Sequence, residues 1–120
     1  MNIISIVLIA ALGILHLGIM GLEMFASPAT QSQSFDMPLD FVRKPEAQTA
    51  LKNQGIYNGM LGVLLLLSLF VLSGSGQIIT ARLLSAFVLV VGIYGGLTAT
   101  RKIFLIQALP GLLTLISLFF

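Results

Sequence analysis

Eight side chains stand out as able to carry, donate or accept protons in a sequence otherwise dominated by Leu, Ile, Val, Ala and Gly: His16, Glu23, Asn53, Gln54, Tyr57, Asn58, Tyr94 and Gln107. His16 is the sole histidine, and an imidazole with an ordinary pKa of about 6.5 suits proton transfer near neutrality. His16 and Glu23 lie seven residues apart. At roughly 100° per residue this returns to one helix face, with Glu23 roughly 10 Å further along. As a pair they could act as general acid and base. Gln54, Tyr57 and Asn58 share a face of a second helix, with Asn53 at its edge. Those amide and phenol groups exceed what one structural hydrogen bond needs, so they point to a ligand site.

Each of these residues also has a structural reading. His16 could be a neutral imidazole bonded to a neighbouring helix, and Glu23 a carboxylate at a water boundary. The amides could join helices, and Tyr57 and Tyr94 could be interfacial anchors. Gln107 could satisfy backbone opened by Pro110. One histidine and one carboxylate fall short of the three or four ligands of a zinc site, and His16 alone would offer a haem a single axial ligand. The chain has no cysteine, which removes thiolate metal sites, disulfides and cysteine nucleophiles. No phosphate-binding glycine loop, serine nucleophile elbow or dinucleotide fingerprint occurs. No metal and no cofactor is therefore expected.

The elements that must position these groups follow from composition. Of 120 residues, 58% are hydrophobic and 8% charged, against about 25% charged in an ordinary soluble domain. A water-soluble surface cannot be built from that supply, and the length suits one domain. Net charge is +2, with no basic face interleaved with aromatics, so no nucleic-acid partner is expected. The partner is the lipid bilayer.

Four apolar runs are long enough to span about 30 Å of hydrocarbon: about residues 3–22, 53–73, 78–97 and 103–120. The first has no Lys or Arg before it and is too long for a signal-peptide core of about 7–15 residues, so it is read as a retained span. Ser27 to Ser34 is polar and helix-poor and is expected in water or the headgroup layer. The alternation from Phe35 to Phe41 fits either a surface segment or a cap on the bundle. Pro45 suits a first helical position and Glu46 the first turn, so the second helix is expected to start near residue 45, outside lipid. Pro110 predicts a bend near Gln107.

Short connections make neighbouring spans antiparallel. The expected fold is all-α, a transmembrane antiparallel four-helix bundle with a long first loop. Arg43, Lys44, Lys52, Arg101 and Lys102 fall on one side against Arg82 on the other, which puts the first and third loops in the cytoplasm and both termini outside. With that topology the eight polar residues all fall in the half of the bundle nearest those loops. Gly55 with Gly59, and Gly92 with Gly96, make small-xxx-small pairs suited to close helix contact, within the bundle or between copies in a homo-oligomer.

The combination His16-x6-Glu23-Met24-Phe25, Asn53-Gln54-Gly55-x-Tyr57-Asn58-Gly59, Gly92-x-Tyr94-Gly95 and Gln107-x-x-Pro110 resembles a bacterial family of small four-span membrane proteins known as a domain of unknown function. The resemblance covers nearly the whole chain, and the Asn-Gln-Gly-x-Tyr-Asn-Gly string is its most specific part. It implies a fold, a set of shared positions and a bacterial cytoplasmic membrane, and it brings no activity. The residues themselves point to a polar pocket for a small amphipathic or lipophilic molecule. Three alternatives stay open: a membrane isomerase or hydratase using His16 and Glu23, a proton-coupled transporter, and a structural accessory subunit.

Overall fold

The computed structural model describes all residues, 1–120, and its regular structure is entirely helical. In chain order the helices are α1 (Ile3–Phe25), α2 (Pro28–Phe35), α3 (Leu39–Val42), α4 (Pro45–Val71), α5 (Gly74–Thr98) and, after a π-helical turn over Phe104–Ala108, α6 (Leu109–Ser117). Three of them, α1, α4 and α5, are long and apolar enough to cross a membrane, and the C-terminal apolar stretch Phe104–Ser117 is shorter.

Local chemistry sets the boundaries. Asn2 caps α1, its side chain accepting from the Ser5 N–H at 2.8 Å. The segment from Ser27 to Ser34, expected to be helix-poor, is instead helical. Ser27 accepts from the Thr30 N–H and Pro28 takes the first helical position, a helix start that outweighs the weak propensities of the Ser and Thr residues behind it. Asp36 ends α2 in a left-handed conformation with φ 52°, which the short polar side chain tolerates better than most. Pro45 opens α4 with Glu46 in its first turn. α4 and α5 are joined through Leu72 and Ser73 alone, and Gly74 adopts φ +61°, a conformation that favours glycine. Near Gln107 the helix widens into the π-turn, where the Leu109 N–H donates to the Phe104 carbonyl. Pro110 offers no N–H to the carbonyl four residues earlier, and the wider turn is how the chain accommodates it.

Packing runs through glycines. α1 and α4 lie side by side in opposite senses: Gly13 meets Gly62 and Leu66, Met20 covers Gly59, and Met24 covers Gly55. α5 and the C-terminal arm pair in the same manner, Gly92 against the Ala108 backbone, Gly96 against the Phe104 ring and Gly111 against Leu89. Gly55, Gly59, Gly92 and Gly96 thus make close contacts inside the chain. At the end holding the termini the two helix pairs come together over Ile9, Leu12, Leu65, Ala81, Val88 and Leu118. There Ser5 Oγ donates to the Ser117 carbonyl at 2.9 Å.

Free carbonyls at helix ends are satisfied by long side chains rather than left open. Gln31 Nε2 donates to the Leu22 and Glu23 carbonyls at the end of α1. Gln77 Nε2 does the same for Ser68 and Leu69 at the end of α4. Arg82 donates twice to the Leu118 carbonyl and stacks over the Phe119 ring, 4.1 Å from its centroid.

Candidate functional site

Between the α1–α4 pair and the α5–α6 pair, on the side of the first and third loops, lies a cleft of about 1650 Å³. Its walls are mainly hydrophobic, with Leu61 and Leu64 from α4 facing Leu83, Phe87 and Val91 from α5. The α2–α3 segment lines its loop-side end through Ser34, Phe35, Met37 and Phe41. Ordinary small-molecule pockets occupy about 300–1,000 Å³, and this half-open space is larger.

Six of the eight residues singled out by type and spacing line this cleft: Glu23, Gln54, Tyr57, Asn58, Tyr94 and Gln107. Glu23 and Asn58 meet directly, Asn58 Nδ2 donating to Glu23 Oε1 at 2.6 Å. α1 brings Glu23 to this place because its buried stripe continues from Ile9 and Leu12 through His16 and Ile19 to Glu23. α4 can approach closely there because Gly55 and Gly59 leave room for Met24 and Met20. Glu23 is 6% exposed, and its other oxygen receives no hydrogen bond from the protein. Tyr57 and Tyr94 present 68% and 70% of their surfaces, one ring from each wall.

Two of the eight lie elsewhere. Asn53 is exposed and takes no part in the lining. His16 has no exposed surface. Its Nδ1 lies 2.9 Å from the Leu12 carbonyl of its own helix, so Nδ1 carries the proton and Nε2 is left as an acceptor. That Nε2 is buried without a hydrogen-bond partner. His16 is packed where Gly62 of α4 crosses α1. It shares a helix face with Glu23, yet Glu23 lines the cleft and His16 is enclosed.

The family model that matches residues 8–119 is described as a protein of unknown function (DUF1304). The chain belongs to the DUF1304 family. It is also 40% identical over 121 residues to the uncharacterized protein YpaA of Lactococcus lactis subsp. lactis (strain IL1403), the alignment covering all of both chains. No solved structure matches it.

Residue type and spacing do not single out several groups that shape the DUF1304 site. Gln31 is fully buried, holding the end of α1 and accepting from Gln48 Nε2 at 2.8 Å, while Gln48 Nε2 also donates to the Val42 carbonyl. Through these bonds α2, α3 and α4 are fixed around the residue pair that ends at Glu23. A second unforeseen group ties the two helix pairs together at the loop end. Asp36 accepts from Thr100 Oγ1 and pairs with Lys102 Nζ at 2.9 Å, the chain's one salt bridge, and Lys102 also donates to the Gln33 carbonyl. The Thr100 hydroxyl, followed by the Lys102 ammonium, holds the Asp36 carboxyl below its ordinary value of 3.8. No group of three or more His, Cys, Asp or Glu residues is placed to hold a metal.

Proposed function

We propose that this protein is a four-span membrane protein whose cleft binds an amphipathic molecule, apolar part between α4 and α5 and polar part at Glu23 and Asn58. The observation that carries this reading is the joining of the Glu23–Asn58 pair to a mainly hydrophobic cleft, a single space offering both environments such a molecule needs. The amides of Gln54 and Gln107 and the hydroxyls of Tyr57 and Tyr94 supply further polar contacts along the same space.

The bilayer reading extends from three long apolar helices to four spans by counting Phe104–Ser117 together with its flanking residues, since a shorter stretch can cross where the bilayer thins or flanking side chains reach the interface. Bacterial kinship and the excess of basic residues in the first and third loops favour the cytoplasmic membrane with those loops inside. The acid–base reading pairs His16 with Glu23, and His16 lies enclosed away from the cleft while Glu23 alone of the two lines it, so binding is the better supported reading.

The experiment is mass spectrometry of small molecules that co-purify with the wild type and with Glu23→Gln. A molecule enriched on the wild type and depleted on the variant supports the site. Identical profiles holding only bulk membrane lipid and detergent count against it.

A further inference from the structure

We infer that the ligand carries a positive charge: the cleft takes a lipophilic amine or quaternary ammonium, with Glu23 as its counter-ion and the rings of Tyr57 and Tyr94 flanking the headgroup. This rests on the reading of the cleft as an amphiphile site and goes further by naming the headgroup.

Glu23 is more than nine-tenths buried, and the protein provides one hydrogen bond to its carboxylate, from Asn58. It provides no cation, since the sole salt bridge joins Lys102 to Asp36. The second Glu23 oxygen takes no hydrogen bond from the protein and is not enclosed by it, so it is free to meet an occupant of the cleft. An ammonium group there would hold the carboxyl in its charged form and supply the counter-charge that the protein does not. An anionic headgroup has no comparable partner. Lys102, the one basic residue on the lining, is already engaged by Asp36 and the Gln33 carbonyl.

The aromatic groups point the same way. Tyr57 on α4 and Tyr94 on α5 line the space with their rings largely uncovered, and aromatic faces attract ammonium groups, including fully alkylated ones that cannot donate a hydrogen bond. The route of entry favours a membrane-dissolved molecule. The loop-side end carries the α2–α3 segment tied down by Asp36, whereas Met60 and Leu64 on α4 and Phe87 and Val91 on α5 are exposed lining residues that border the space where it meets lipid.

The test is native mass spectrometry of the full chain released from an uncharged detergent, incubated with dodecyltrimethylammonium or with 1-dodecanol. The wild type should retain one dodecyltrimethylammonium per chain. Glu23→Gln should lose about tenfold more affinity for the cation than for dodecanol. The substituted amide oxygen can still accept from Asn58, which preserves the helix contact. Tyr57→Leu, at an exposed position, should weaken the cation roughly threefold more than it weakens dodecanol. Equal retention of the cation by wild type and Glu23→Gln overturns the charge assignment. So does retention of dodecanol without the cation, although that result leaves the amphiphile site standing. Failure of the wild type to retain either probe overturns both.

Discussion

Asn58 Nδ2 donates to Glu23 Oε1 at 2.6 Å across a sequence separation of 35 residues, and one helical turn away along α4 the side chain of Met24 covers Gly55. The polar bond and the glycine contact enforce one register of α1 against α4. The same register brings the carboxylate to the cleft rather than to lipid, so packing and the site depend on each other.

Breaking that bond should loosen the pair without unfolding it. Asn58→Ala is expected to cost about 0.5–2 kcal/mol, the range for an interhelical hydrogen bond to a charged or polar group in a membrane setting. Thermal unfolding in detergent reads the loss. A double-mutant cycle with Glu23→Ala, which removes the acceptor, should show coupling between the two sites, and additive effects would mean that they do not interact.

Glycine substitutions should sort by what a new methyl group meets. At Gly92 a Cβ would fall 2.5 Å from the Ala108 nitrogen and at Gly62 2.6 Å from the Gly13 carbonyl oxygen; these are backbone atoms that cannot step aside, and overpacking of this kind costs about 1–3 kcal/mol. Gly18 and Gly21 have open space around the same point. Gly92→Ala and Gly62→Ala should lower the melting temperature, whereas Gly18→Ala and Gly21→Ala should leave it unchanged or raise it.

The tie from Asp36 to Thr100 and Lys102 should outlast mild acid. A carboxyl held below its ordinary value of 3.8 in the fold contributes stability that is present above that value and disappears as pH falls through the lower, folded-state value. Hydrogen exchange of α2 and α3 should therefore be flat from neutral pH down to the ordinary carboxylate range, once corrected for the intrinsic pH dependence of exchange, and should quicken below it. Asp36→Asn should show the quicker exchange at every pH.

Orientation can be read with introduced cysteines, since the chain has none of its own. In intact cells a membrane-impermeant maleimide should label Ser75→Cys in the first turn of α5 and spare Ala29→Cys in α2 until the cells are opened. The reverse pattern would invert the topology derived from the basic residues.

The all-helical class and the apolar segments are legible in the sequence because few arrangements of backbone are tolerated where water is absent. The gathering of polar groups toward one end is legible for a related reason: once the runs are laid antiparallel, depth follows from residue number. Three features are not. Gln31 sits in a stretch that reads as solvated, and its burial arises only when α2 folds back beneath the end of α1. His16 and Glu23 share a face by spacing, but spacing does not say which neighbour covers each turn, and Gly62 covers one while the cleft opens at the other. The Asp36–Lys102 pair joins residues 66 positions apart, and no local pattern marks either as the other's partner. The sequence suggests a polar pocket floored by apolar side chains, and its extent is not legible there. The polar groups gather at the loop-side part of a larger, mainly hydrophobic space, whose extent depends on how the helix pairs separate and not on any one helix.

Photo-crosslinking with an alkyl amine bearing a diazirine at its chain end, followed by peptide mapping, tests the amphiphile cleft most directly. Adducts should concentrate on Leu61, Leu64, Phe87 and Val91 and should be competed away by excess unlabelled amine. Labelling spread evenly over outward residues such as Ile14, Phe70 and Leu113, with no competition, would contradict a ligand site between the helix pairs.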